Sequence, residues 1–211
     1  TQNQAFSAIV FFYAEVMKSP LGDIGEFVRA KRPKRLPVVL SKSEIDALFD
    51  QLTGLHYLMA GLLYGSGLRL MECVRLRVQD VDFERNQLLV RDGKGQKDRV
   101  TMLPNKFAPA LKEHLVKIRE LHDLDRKAKV GPVYLPTALA RKYPKAGTEW
   151  GWQYVFPSAK LSVDPRGGAV RRHHISESVL QRAIKKAAHA ADIPKKVNCH
   201  SLRHRFATHL L

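Results

Sequence analysis

The chain has 211 residues, 45% hydrophobic and 27% charged, which suits a folded globular protein of one good-sized domain, or one plus part of a second. Lys and Arg number 36 against 20 Asp and Glu, so the formal charge is +16 and a polyanion, most commonly nucleic acid, is the favoured partner. A membrane span and a disulfide-rich secreted scaffold are excluded: no apolar run approaches the roughly 20 residues of a spanning helix, and Cys73 and Cys199 suit a reducing cytoplasm.

Residues 3–18 place Phe6, Ile9, Val10, Tyr13 and Val16 at helical spacing, an apolar helix in need of a partner. Its stretch 8–14 lacks the basic flank and cleavage site of a secretory signal. The chain has no initiator Met and stops at His209-Leu210-Leu211 in what reads as mid-helix, so the expectation is a piece of a longer protein. Residues 1–28 form a first segment. Arg29, Lys31, Arg32, Lys34 and Arg35, interrupted by Pro33 and followed by Pro37, predict an extended basic linker over 29–40. Ser41-Lys42-Ser43-Glu44 is a capping box opening a helix to about residue 52. Residues 55–64 are apolar nearly all round, as in a buried helix. Gly65-Ser66-Gly67 breaks it, and 68–76 reads as another helix. Three short antiparallel strands are expected over 78–83, 87–90 and 99–103, the first turn at Arg85-Asn86 and the second opening at Asp92-Gly93-Lys94-Gly95. A long helix over 105–129, an aperiodic stretch rich in Pro, Gly and aromatics over about 130–172, and helices over 175–191 and 199–211 complete the chain. The class is mainly α with a small antiparallel β-sheet (α+β).

Three motifs carry chemistry. In Gly67-Leu68-Arg69-Leu70-Met71-Glu72 an Arg opens a helix with Glu on its side three residues later. A dinucleotide reading of Gly65-x-Gly67 fails, because a helix precedes it and the third Gly is missing. In Asp92-Gly93-Lys94-Gly95-Gln96-Lys97-Asp98-Arg99 a basic hairpin tip is either plain solvated turn or a Lys that reaches into a groove. In His200-Ser201-Leu202-Arg203-His204-Arg205-Phe206, His200, Arg203 and His204 share one helical face and Leu202, Phe206 and Leu210 another. A guanidinium fork beside an imidazole suits phosphate. His200-x3-His204 has zinc-ligand spacing, yet position 201 is Ser where a His-Glu-x-x-His motif needs Glu. A solvated basic face is the other reading.

Taken in order, these motifs resemble those of the tyrosine recombinase (phage integrase) family, from about residue 38 to the C-terminus. The resemblance implies a catalytic domain over 41–211, here incomplete, that clamps DNA opposite a helical N-terminal domain whose end would be residues 1–28. The linker arginines and lysines would follow the DNA backbone. Arg69 and Arg203 would hold the non-bridging oxygens of the scissile phosphate as charge builds on them, and His200 would donate to the same phosphate. Lys94 would be the general acid on the leaving 5′-oxygen, with Lys97 the other candidate. Glu72 would support the arginines from behind. No metal and no cofactor are implied. The family pattern continues past His-x-x-Arg into a second His or Trp and a nucleophilic Tyr. All six tyrosines here precede His200, so this polypeptide is expected to bind DNA without cleaving it.

Lys94 and His200 lie 106 positions apart, further than simple family members need. The surplus, at residues 140–158, looks like the added segment of integron integrases, bacterial cytoplasmic enzymes that recombine double-stranded and folded single-stranded DNA sites. A homo-oligomer on DNA, a tetramer for the full-length protein, follows from the same resemblance. Trp150 and Trp152 alternate by two, so an extended stretch would point both one way, with Trp152 over an extruded base. Pro165, His173 and His174 would hold a second such base. The aromatic run 150–156 could instead be a core plug, and Arg172 within Arg171-Arg172-His173-His174 either a solvated charge or a grip on DNA. Two other functions remain open: a basic DNA-binding module without chemistry, and an RNA-binding protein, which accounts for the charge but not for the series of motifs.

Overall fold

The computed structural model describes residues 2–22, 25, 30, 38–91 and 97–209, without the side chains of Thr137 and 207–209. Arg29, Lys31, Arg32, Lys34, Arg35 and Lys94 lie outside the described residues. The chain divides into two units, Thr1–Leu36 and Pro37–Leu211.

In the first unit α1 spans Gln2–Phe11 and continues as a π-helical turn over Phe12–Val16. The expected straight helix to residue 18 therefore widens in its last turn, where the Met17 N–H reaches back to the Phe12 carbonyl at 3.0 Å. Lys18 then takes a φ of +50°, and Pro20 cannot continue the ladder. The Asn3 side chain bonds both backbone groups of Ala30, at 3.0 and 3.1 Å. Within this unit Phe11, Phe12, Val16 and Met17 are exposed.

The second unit opens with α2 (Lys42–Asp50), and the Ser41–Glu44 capping box is present in both directions. Next comes α3 (Gly54–Gly65), whose Leu58, Met59, Leu62 and Leu63 are buried, as the all-round apolar sequence predicts. α4 is shorter than expected, Leu70–Val74, with Arg69 at its N-cap. The first expected strand is mostly a 3-10 turn over Val78–Asp80, because the Asp80 carboxylate accepts the Arg77 N–H at 3.3 Å and curls the backbone. What remains is β1 (Val81–Asp82), which pairs antiparallel with β2 (Gln87–Val90), and β2 pairs with β3 (Arg99–Met102). α5 (Ala108–Lys127) lies on the same core through Leu111 and Leu115. α7 (Glu177–Ala190) and α8 (Cys199–His209) pack with α3, and Leu180, Ile184 and Leu202 complete the interior. Cys73 and Cys199 are both buried free thiols.

The stretch 130–172 is ordered by anchors rather than by period. α6 (Thr137–Lys142), 3-10 turns at Ala146–Thr148 and Trp150–Trp152, and a hairpin of β4 (Ser162–Val163) with β5 (Val170–Arg171) lie along it. The aromatic run divides. Tyr154 and Phe156 are buried, as a core plug requires. Trp150 and Trp152 sit in a helical turn, not in the extended stretch the alternation suggests, so they do not share a direction. Trp150 packs on the core beside the His122 ring, 5.8 Å away, with the Arg119 guanidinium 5.1 Å from its centre. That position gives Trp150 a packing role.

Candidate active site around Glu72

The loop Gly65-Ser66-Gly67 ends α3 and delivers Arg69 to the first turn of α4, and Gly67 makes this possible. Its φ is +59°, and a Cβ there would run into the Phe206 ring. The close approach lets α8 lie against the loop, where an Arg203 Nη donates to the Gly67 carbonyl. Two chain-distant motifs meet at this contact.

Glu72 is the hub. Its carboxylate is 8% exposed and accepts four hydrogen bonds. The Arg69 N–H and the Arg69 Nη1 donate at 2.7 Å each. Arg99 Nη1 and Nη2 close a two-pronged fork at 2.9 and 2.8 Å. Arg203 Nη1 stands 3.7 Å from Oε2. Burial pushes the Glu72 carboxyl up, but the bonds from Arg99 and Arg69 outweigh it and hold the group down at about 2. Burial lowers the Arg203 guanidinium, the nearby Arg69 and Arg99 charges lower it further, and Glu72 opposes them. Three guanidiniums around one carboxylate leave a net positive cluster, each arginine about one third exposed. Such a cluster has the charge and the donors to receive an anion.

Arg69, Glu72 and Arg203 are thus brought together as the sequence motifs suggest, and His200 is exposed on the first turn of α8, one turn before Arg203. His204 faces solvent with its ring centre 6.4 Å from that of His200. Among the described residues no three His, Cys, Asp or Glu side chains form a metal-ligand group. Lys97 is exposed just before β3. The sequence motifs assign no role to Arg99. The signal that could have found it is strand parity: Arg99 and Thr101 alternate, and both turn inward, Thr101 Oγ1 donating to the Ser66 carbonyl at 2.8 Å.

A cleft of about 790 Å³ runs from Glu72 past Arg91 and Trp152 to Pro165 and His173. Its floor is a second arginine set. Arg77 lies 3.7 Å over the Tyr154 ring and donates to the Trp152 and Tyr134 carbonyls at 2.7 and 2.8 Å. Arg91 Nε bonds Asp80 Oδ1 at 2.6 Å, and its guanidinium lies 5.9 Å from the Trp152 ring centre. Burial pushes the Asp80 carboxyl up despite Arg91. His173 stacks on Tyr154 at 5.5 Å, and His174 stands edge-on to His173 at 4.1 Å. Burial lowers both imidazoles, helped on His173 by His174 and the nearby arginines. Arg172 does not face this space as a free charge. It forks onto Asp125 at 2.5 and 2.7 Å and donates to the Ser158 and Ala159 carbonyls, which makes it a strut between α5 and the 130–172 stretch.

A model of the phage integrase family matches residues 38–211. The chain belongs to this family of tyrosine recombinases. An integrase/recombinase of Escherichia coli and one of Pseudomonas aeruginosa are each 46% identical to it over 211 residues, 100% of this chain and 63% of theirs, so it spans under two thirds of these curated relatives. The tyrosine recombinase XerA of Thermococcus onnurineus is 32% identical over 184 residues, covering 86% of this chain and 51% of that protein. The crystal structure of XerA recombinase aligns with a TM-score of 0.53 at 26% identity, over 99% of this chain and 61% of that one. The XerH site-specific recombinase bound to its difH substrate shares the fold, with a TM-score of 0.57 at 18% identity over 99% and 53% of the two chains. The mainly helical fold with small antiparallel sheets is that of these recombinases.

Proposed function

We propose that this tyrosine recombinase chain carries the phosphate-activating centre of a site-specific DNA recombinase, of the type that integrates and excises integron cassettes. The observation that carries the reading is the convergence of Arg69 and Arg203 beside one buried carboxylate, with His200 on the same helix as Arg203. In a phosphodiester transesterification the two guanidiniums hold the non-bridging oxygens as negative charge builds on them. His200 donates to the same phosphate. A lysine of the segment 92–98, Lys94 or Lys97, hands a proton to the leaving 5′-oxygen as the P–O bond breaks. The attacking tyrosine of the family lies downstream of His-x-x-Arg.

The integron assignment rests on the 130–172 stretch. Trp152, Pro165 and His173 border the cleft that begins at Glu72, with His174 against His173, so unstacked bases of a folded single-stranded site would lie beside the reacting phosphate. The linker Arg29, Lys31, Arg32, Lys34 and Arg35 would track the duplex backbone. The full-length protein would act in the cytoplasm as a homo-oligomer, a tetramer, on paired sites.

In the protein extended to its tyrosine, Arg69→Ala or Arg203→Ala should slow cleavage of a nicked suicide duplex about 10²-fold while binding changes little. Affinity itself should fall with salt, each phosphate contact adding about −0.9 to the slope of log affinity against log salt. Near-normal cleavage by either variant would remove that arginine from the site, and salt-independent binding would remove DNA as the partner.

A further inference from the structure

We infer that Arg99 is a positioning residue whose work is to saturate Glu72, so that Arg203 stays available for a phosphate. The inference rests on the proposed phosphate role of the cluster. Each Glu72 oxygen already has two donors: Oε1 takes Arg69 Nη1 and Arg99 Nη1, and Oε2 takes the Arg69 N–H and Arg99 Nη2. Among the described residues Arg99 is the guanidinium that grips both oxygens, and both of its Nη groups are engaged in doing so. Arg203, at 3.7 Å from Oε2, is near enough to be attracted and too far to bond, and it donates to the Gly67 carbonyl instead. Without Arg99 each oxygen would lose a donor in a site that is largely out of water. An unsatisfied carboxylate there is costly, and among the described residues Arg203 is the cation that stands within 4 Å without bonding to it. A movement of about 1 Å would close a direct Arg203–Glu72 pair within hydrogen-bond range. Arg203 would then be neutralised by the protein rather than offered to a ligand.

The position of Arg99 gives this clasp a second consequence. It opens β3, two positions after Lys97, so the Glu72 fork ties the strand that follows Lys97 to the arginine pair. Thr101, one inward position further along, bonds the Ser66 carbonyl and fixes the same strand to the loop before Arg69.

The test is inorganic phosphate binding to the chain, followed through the 15N signals of the Arg69 and Arg203 side chains, in the wild type and in Arg99→Ala, Arg99→Lys and Arg99→Ala/Glu72→Gln. Arg99→Ala should weaken phosphate about tenfold. Arg99→Lys, which keeps the charge but not the fork, should fall between it and the wild type. The double variant should bind more tightly than Arg99→Ala, because the carboxylate that captures Arg203 has lost its charge. A merely structural role predicts the opposite sign, the second lesion adding to the first. The inference is overturned if Arg99→Ala binds phosphate as the wild type does, or if the double variant is weaker than the single one. If the wild type gives no phosphate response at Arg69 or Arg203, the anion-site reading falls and this inference with it.

Discussion

Gly67→Ala tests whether the candidate site is held together by a backbone that only glycine can follow. The substitution meets two separate penalties. A left-handed φ of +59° costs an L-residue about 1–2 kcal/mol. The new Cβ also lies 2.8 Å from Phe206 Cε1 and 3.1 Å from Cγ, and closer still to Cδ1, so the ring cannot escape by a small tilt. Overpacking of this kind costs about 1–3 kcal/mol. Gly54→Ala supplies the control, since its φ is +51° but no atom lies within 4 Å of the added Cβ. At about 2–4 °C per kcal/mol for a unit of this size, Gly67→Ala should lower Tm by about 4–20 °C and Gly54→Ala by about 2–8 °C, so for any one conversion the former loses more. The clash also pushes α8 off the loop and breaks the Arg203 bond to the Gly67 carbonyl, so phosphate and DNA responses at Arg203 should weaken in Gly67→Ala alone. Phe206→Leu in the Gly67→Ala background should return part of the lost stability. Thermal melts of the four proteins decide it. Equal losses in the two glycine variants, or no recovery with Leu, would show that Phe206 is not the obstacle and that α8 is not seated on this loop.

Glu72 sets a pH dependence. Its carboxyl is held at about 2, below the ordinary carboxylate value, so the stability it supplies is complete above about pH 4.5 and is lost as pH falls toward 2. The stability difference between the wild type and Glu72→Gln in urea melts should therefore stay constant from about pH 7 to 5 and shift toward the variant between about pH 4.5 and 2.5; a difference that does not change with pH would refute the clasp. The two tryptophans should separate. Trp152→Ala should weaken binding to a hairpin with unpaired bulged bases by about 1–3 kcal/mol and leave duplex affinity and Tm nearly unchanged. Trp150→Ala should lower Tm by about 5 °C or more and affect both ligands alike, and the reverse pattern would exchange their roles. Asp125→Asn should cost stability through the stranded Arg172 guanidinium, whereas an Arg172 that served DNA would instead tighten its grip when the carboxylate is removed.

What the sequence by itself determined is whatever a short window encodes. The Ser41–Glu44 box, the apolar run that forms α3, the break at Gly65-Ser66-Gly67 and the split faces of 199–209 are each decided by neighbours within one or two helical turns. The Arg69-to-Glu72 and His200-to-Arg203 spacings are local in the same sense, which is why half of the site is legible in the sequence alone. Tertiary structure decided the rest. Arg99 joins Glu72 across 27 positions, and Arg172 joins Asp125 across 47. β3 points its polar Arg99 and Thr101 inward and leaves Val100 and Met102 exposed, against the usual pattern, because its inner face docks on a loop of carbonyls and a carboxylate rather than on the core. Trp150 and Trp152 part company for a related reason: one turn of 3-10 helix, fixed by what flanks it, puts one ring on the core and the other on the cleft. Periodicity reports which face of an element meets oil and which meets water. It carries no record of which buried charge will answer another, because that depends on where two distant segments come to rest.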